Sequence, residues 1–226
     1  MNQCYAIVPA AGSSRRMGKP KLLLPWQASS LGTRASSPST PTTVIDQVLH
    51  AWTSSRVART VVVIRNGDIP LREACRRHAV HIVEPEITPI DMKASCCVGL
   101  QFIQQQFRPD SSDRCFIAPA DLPELNNAVI DCLIASESLP AEVVVPKFGT
   151  RIGHPILLPW PLTREIFELD IAEGVDAIVA RHPKRCICFP PEELVADIDT
   201  PEEYEHALNR TTARRSDAHG TNIRYT

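Results

Sequence analysis

Aromatic side chains are scarce: Phe, Trp and Tyr make up 5% of the 226 residues. Base-stacking and carbohydrate-stacking surfaces are therefore poorly supplied. Net charge is nearly absent too. The 24 Lys+Arg against 26 Asp+Glu leave a formal −2, which argues against a globally basic nucleic-acid binder. No run approaches roughly 18 uninterrupted apolar residues, so no membrane span is expected. An apolar stretch behind a basic start is missing, so no secretory signal is expected either. Eight cysteines are too sparse for a disulfide scaffold. Cys186-x-Cys188 lacks the C-x-x-C spacing, and even with His182 nearby it reads as buried thiols beside a strand. A reducing, cytoplasmic setting fits these absences.

What is present is an ordinary globular composition, 43% apolar and 22% charged. The length suits one α/β domain with a sizeable core. One asymmetry hides in the totals. Residues 1–45 contain Arg15, Arg16, Lys19, Lys21 and Arg34 and no acid, so that segment carries +5 and the remainder −7. The cluster coincides with a glycine-bearing turn, which points to an anion site.

Apolar runs at 4–8, 60–64, 80–83, 115–118, 142–145 and 186–189 read as strands. Helical patterns fall at 44–52, 71–78, 92–107 and 125–135, with two short ones within 161–180. Thr200-Pro201-Glu202-Glu203 is a helix start, with Thr200 as cap, Pro201 in the first helical position and Glu203 closing a capping box. Residues 28–41, rich in Ser, Thr and Pro, read as a flexible loop. Residues 210–226 lack apolar periodicity and read as a disordered tail after a single domain spanning 1–209. Alternating strands and helices predict a three-layer α/β/α fold with a mostly parallel, Rossmann-like sheet. Such sheets bind ligands beyond the carboxyl ends of their strands, so the loops after Val8, after Ala118 and near Asp197 are the ones to inspect.

The loop Pro9-Ala10-Ala11-Gly12-Ser13-Ser14-Arg15-Arg16-Met17-Gly18-Lys19-Pro20-Lys21 is the richest in information. It is not a phosphate-binding Walker loop, because five residues separate Gly12 from Gly18 and Lys19 is followed by Pro20. Small residues at Ala10, Ala11, Gly12, Ser13 and Ser14 still let backbone N–H groups approach an oxyanion. Arg16 and Lys21 supply charge to balance a polyphosphate. Asp121 follows a strand directly, where it could bind a metal or cap the next helix. Asp197 and Asp199 share one face of an extended segment and could do either as well.

Ala10 through Pro25 resembles the signature of nucleotidyltransferases of molybdenum cofactor biosynthesis, the MobA/MocA-like family. The likeness is greatest to its cytidylyltransferase branch and continues to about residue 209. It implies the nucleotide-diphospho-sugar transferase type of fold. It further implies that Ala10, Ala11, Gly12, Ser13, Ser14, Gly18 and Ser95 meet the nucleotide, and that Arg16 and Lys21 neutralise its triphosphate. Arg15 and Lys19 occupy variable positions and face solvent. Ala11, where guanylyltransferases carry Gly, tilts the base toward cytosine, with GTP and ATP left open. The family's metal-binding Asp corresponds to Asp121, although Ala120 and Leu122 replace its common Gly and Gln. One of Asp199 and Asp197, in Asp-Ile-Asp-Thr-Pro, completes an Mg2+ site, with Asp199 preferred. Gly153-His154-Pro155 matches a motif on the acceptor side, where His154 donates to a phosphate or is structural. Lys93, in Asp91-Met92-Lys93-Ala94-Ser95, pairs with the acceptor phosphate.

The implied reaction is Mg2+-dependent transfer of a nucleoside monophosphate, CMP from CTP, to a phosphorylated acceptor with release of pyrophosphate. The implied acceptor is molybdopterin cofactor, with a transient contact to a molybdoenzyme or its chaperone. Two alternatives stand beside it: transfer to a sugar or alditol phosphate, and a non-catalytic nucleotide or cofactor carrier.

Overall fold

The first strand sets the layering. β1 (Cys4–Pro9) is buried along its whole length, with Cys4, Ala6 and Val8 in one apolar cluster and Tyr5 and Ile7 in another. Successive strand side chains point to opposite faces, so both faces of the sheet must be covered. The computed structural model describes residues 2–26, 42–139, 141–193 and 196–220. The loop expected at 28–41 lies outside them.

β2 (Arg59–Val63) and β4 (Arg114–Ile117) flank β1 in parallel, and β3 (His81–Val83) adds beyond β2. On the other side β7 (Ile156–Pro159) runs antiparallel to β4, and β5 (Val143–Phe148) antiparallel to β7. β8 (Lys184–Phe189) pairs in parallel with β5, and the two-residue β6 (Arg151–Ile152) forms a hairpin with its end. The order β3-β2-β1-β4-β7-β5 places the strand reversal at β1 and β4, where an open α/β sheet forms its crevice. Sequence patterning missed β7, because the three-residue apolar run between Pro155 and Pro159 is too short to show a period.

Helices α1 (Val44–Thr53), α2 (Ile69–Cys75), α4 (Asn127–Ala135) and α6 (Pro201–Gly220) cover the Ala6 face. Helix α3 (Met92–Phe107), a 3-10 segment (Trp160–Glu168) and α5 (Asp176–Arg181) cover the Ile7 face. Gly99 permits the close approach of α3: a Cβ there would lie 2.8 Å from Ile7 Cγ2. The α1 stripe of Val44, Ile45, Val48, Leu49 and Trp52 is wholly buried, as its spacing predicts. Thr43 and Asp46 close a capping box at its start. Helix α6 begins with the expected box, Glu203 Oε2 accepting from Thr200 N (2.9 Å) and Thr200 Oγ1 from Glu203 N (3.2 Å).

Two expectations need correction. Helix α6 continues to Gly220, well past the end placed near 209, because Ala and Arg residues sustain a helix without an apolar stripe. Cys186 and Cys188 lie on β8 but are exposed: among the described residues this strand pairs only with β5, and Ile187 and Phe189 take the face that packs on the core. His182 pairs with Glu165 (2.9 Å) and not with either thiol.

Asp46 also ties α1 to the end of α2. It accepts from Arg77 Nη2 (2.8 Å) and contacts His78 Nε2 (2.9 Å). Burial opposes its charge, but Arg77, His78 and Thr43 outweigh burial and hold its pKa at about 2. A depressed carboxyl stabilises the fold above its unfolded pKa, and that stability is lost as pH falls through the folded value. Asp46→Asn is therefore expected to cost on the order of 2 kcal/mol at pH 7 and to show a smaller deficit near pH 2. Urea unfolding across that range checks it; a deficit independent of pH would contradict it.

Candidate active site

The loop after β1 is held to the sheet on both sides. Ala10 N donates to Val63 O (2.8 Å), and Ala120 N donates to Pro9 O (3.2 Å). The turn itself uses two positive φ angles, +50° at Ser14 and +67° at Gly18. Gly18 N donates to Ser14 O (3.2 Å), Lys21 N to Ser14 Oγ (3.2 Å), and buried Met17 anchors the loop from beneath. A side chain at Gly12 would meet no protein atom. Glycine there serves the open cleft it borders, not the packing of the loop.

This geometry delivers Lys21 to the middle of the sheet edge. Its Nζ donates to Asp121 Oδ2 and to Asp199 Oδ1 (2.8 Å), while Arg16 Nη2 reaches Asp199 Oδ2 (2.6 Å). Asp121 stands just beyond β4, and its carbonyl accepts from Ile198 N (3.2 Å), which brings the Asp197–Asp199 segment alongside. The side chains of Lys21 and Asp121 are 13% and 14% exposed, so the pair is largely removed from water. Burial raises the Asp121 pKa, and Lys21 only partly offsets this. Burial opposes the charge of Lys21, but Asp121 and Asp199 outweigh it and raise its pKa. At Asp199 burial is outweighed by Lys21 and Arg16, and its pKa falls.

The structure bears on the helix-capping alternative and on which acid meets Lys21. Asn126 caps α4, accepting from Val129 N (3.0 Å), so Asp121 is not its cap. Asp199 joins Lys21 and Arg16, whereas Asp197 is exposed and acts on Asp121 only through its charge. Asp121 Oδ1 is buried and has no hydrogen-bond partner among the described residues. Two converging carboxylates with a buried free oxygen are hard donors that fit a divalent cation sharing its remaining ligands with phosphate and water. No group of three or more metal-ligating side chains occurs among the described residues. Asp121 and Asp199 would therefore be the protein's share of such a site.

A cleft of about 670 Å³ lies at the sheet edge, lined by Ala10 through Ser14 and by Lys21 and Asp121. Ser95 lines it, buried, with Oγ donating to Asp91 O (3.1 Å). Asp91, which stands where the family has Gly, caps α3 by accepting from Ala94 N (2.7 Å). Gly18 borders an adjoining pocket of about 290 Å³. Arg16 is 72% exposed and reaches the site only through Asp199.

Other residues fall differently. Lys93 is turned from the cleft, its ammonium donating to the carbonyls of Leu169 and Asp170, so it straps α3 to the segment after the 3-10 helix. His154 borders a separate pocket of about 400 Å³, which shares Met92 with the main cleft. Burial pushes the His154 pKa down despite the pull of Asp121 and Asp197, so its ring is neutral at pH 7. Its Nδ1 is buried and without a partner among the described residues. A neutral ring brings no positive charge to a phosphate, though it can still donate through one N–H. Arg15, expected to face solvent, borders both pockets of the nucleotide side while remaining exposed. Arg65 was missed altogether, yet it also borders both. The rule that singled out Asp121, a charged residue just after a buried strand, could have found it.

Removing one member of a buried pair strands the other. Lys21→Met is expected to cost about 3 kcal/mol, and adding Asp121→Asn should restore most of it. Urea denaturation of the three variants checks this; a double variant no more stable than Lys21→Met would contradict the pairing.

Comparison with known proteins agrees with this layout. A family model described as the MobA-like NTP transferase domain matches residues 6–186. The molybdenum cofactor cytidylyltransferase of Escherichia coli (strain K12) is 24% identical over 214 residues, covering 94% of this chain and 99% of that protein. A probable molybdenum cofactor guanylyltransferase of Bacillus cereus (strain AH820) is 28% identical over 159 residues, covering 70% of this chain and 68% of that one. The fold is shared with a nucleotidyl transferase from Methanothermobacter thermautotroptrophicus, at TM-score 0.72 and 20% identity, covering 95% of this chain and 100% of that one. It is shared too with Rv0371c of Mycobacterium tuberculosis H37Rv in complex with manganese, at TM-score 0.69 and 24% identity, covering 92% and 99%. Because the matched residues run from β1 into β8 and take in the loop, Asp121 and His154, the chain belongs to the MobA-like NTP transferase family and is a nucleotidyltransferase.

Proposed function

We propose that this nucleotidyltransferase transfers CMP from CTP to the phosphate of molybdopterin cofactor. The observation that carries the reading is Lys21 held between Asp121 and Asp199 beside a cleft lined by small residues. An ammonium in contact with two carboxylates has a partner to exchange: a triphosphate can take Lys21, and a cation can take the acids. Ala11 and the near full-length likeness to a cytidylyltransferase favour CTP, and the relatives' printed names favour the acceptor.

The acceptor phosphate is already anionic, so no covalent enzyme intermediate is needed. Its oxygen bonds to the α-phosphorus, the bond from that phosphorus to the bridging oxygen breaks, and pyrophosphate leaves. The protein's contribution is alignment and charge stabilisation. Backbone N–H groups of the Ala11–Ser14 stretch cradle the phosphates. Lys21 and Arg16 offset their charge, and the pocket beside His154 and Met92 receives the acceptor. Asp121 and Asp199 would hold Mg2+, which neutralises phosphate charge when bound.

Lys21→Ala is expected to weaken CTP binding by about 1.5–3 kcal/mol, the range for hydrogen bonds to charged groups. Asp121→Asn should remove pyrophosphate release while the chain stays folded at the assay temperature, as circular dichroism reads it. Both are read with CTP, Mg2+ and molybdopterin cofactor. Equal CTP affinity in Lys21→Ala, or normal turnover in Asp121→Asn, would remove that residue from its role.

A further inference from the structure

We infer that Arg65 is the residue that reads the nucleobase, and that it selects a base presenting two adjacent hydrogen-bond acceptors. The inference deepens the nucleotidyltransferase reading and rests on it. Arg65 follows β2 at the carboxyl edge of the sheet, and its side chain borders both the main cleft and the pocket beneath Gly18. One end of the guanidinium is tethered, Nη2 donating to Asp68 Oδ2 at 3.2 Å. Asp68 is itself fixed as the cap of α2, its Oδ1 accepting from Leu71 N at 3.3 Å. Arg65 Nε is buried and has no hydrogen-bond partner among the described residues. The side chain as a whole is 39% exposed where it borders the cleft, so a tethered guanidinium with donors to spare is poised for a ligand.

Its place in the sheet says which part of the ligand. β1 lies between β2 and β4, so Arg65 is two strands away from Asp121, on the order of 10 Å at ordinary strand spacing. The reacting α-phosphorus belongs near Lys21 and Asp121, and the β- and γ-phosphates over the Ala10–Arg16 loop. What remains to reach Arg65 is the base, with the ribose bridging the interval.

The guanidinium fork donates two parallel N–H bonds. Cytosine offers adjacent acceptors at O2 and N3, and guanine at O6 and N7. Uracil places an N–H between its two carbonyls, and adenine sets an amino donor beside N7. Arg65 therefore favours cytosine or guanine over uracil and adenine. Asp68, which has lone pairs to spare, can accept from the exocyclic amino group of cytosine, which adjoins N3.

The test is equilibrium binding of CTP, GTP, UTP, ATP and inorganic tripolyphosphate to the full chain, its Arg65→Met variant and its Arg65→Lys variant. The parent should bind CTP or GTP about 5- to 150-fold more tightly than UTP and ATP, the range for one bidentate pair. Which of CTP and GTP binds tighter separates cytosine from guanine as the base read. Both variants should bring the four nucleotides to within about twofold of one another while tripolyphosphate affinity stays at the parent's value. Discrimination retained in both variants would overturn the assignment. So would a uniform loss that includes tripolyphosphate, which would make Arg65 a phosphate contact. A parent that binds no nucleoside triphosphate would instead overturn the nucleotidyltransferase reading itself.

Discussion

The site turns on one ammonium group. Lys21 Nζ is shared between Asp121 and Asp199 in a place largely closed to water. Neither carboxylate could remain charged there without a cation beside it, and Lys21 could not be buried without them. The same three side chains come from distant parts of the chain: the first loop, the end of β4 and the segment before α6. Their mutual need draws those parts together, and the bond from Ile198 N to Asp121 O fixes the last one in place. Whatever binds at this edge must re-partner all three charges at once.

The sheet explains why the charges meet where they do. β1 sits between β2 and β4, so its following loop lies at the reversal of strand order. Arg65 leaves from one neighbour and Asp121 from the other, with the small-residue loop between them. A nucleotide laid along that edge spans phosphate-handling groups at one end and a guanidinium at the other. Beyond Met92, His154 borders a second, more apolar pocket. The split of charge along the chain thus has a spatial meaning: the acid-free opening segment and two of the later acids form one neutralised centre.

Much of this was legible in residues. The α1 and α3 stripes, the β1 run and the Thr200–Glu203 box each rest on local rules of period and capping, and each appears in place. The Ala10–Pro25 motif named the family because it is long and specific. What was not legible depends on contacts far apart in sequence. Lys93 reads as a cation at a helix start, but two carbonyls 76 and 77 residues away claim it. His154 reads as a phosphate donor or a structural residue, and the burial that lowers its pKa comes from the fold around it. The exposure of Cys186 and Cys188 follows from the sheet order, which spacing within β8 cannot supply. Arg65 was overlooked because a single arginine after a valine run carries no motif; only the cleft around it gives it meaning.

The central claim is that the Lys21–Asp121–Asp199 cluster is where the triphosphate and its cation bind. A crystal structure with a non-hydrolysable CTP analogue and Mn2+ tests it most directly. The account predicts Lys21 Nζ moved from Asp121 onto the phosphates, with anomalous density for manganese between Asp121 and Asp199. Lys21 still paired with Asp121 while the analogue lies elsewhere would contradict it.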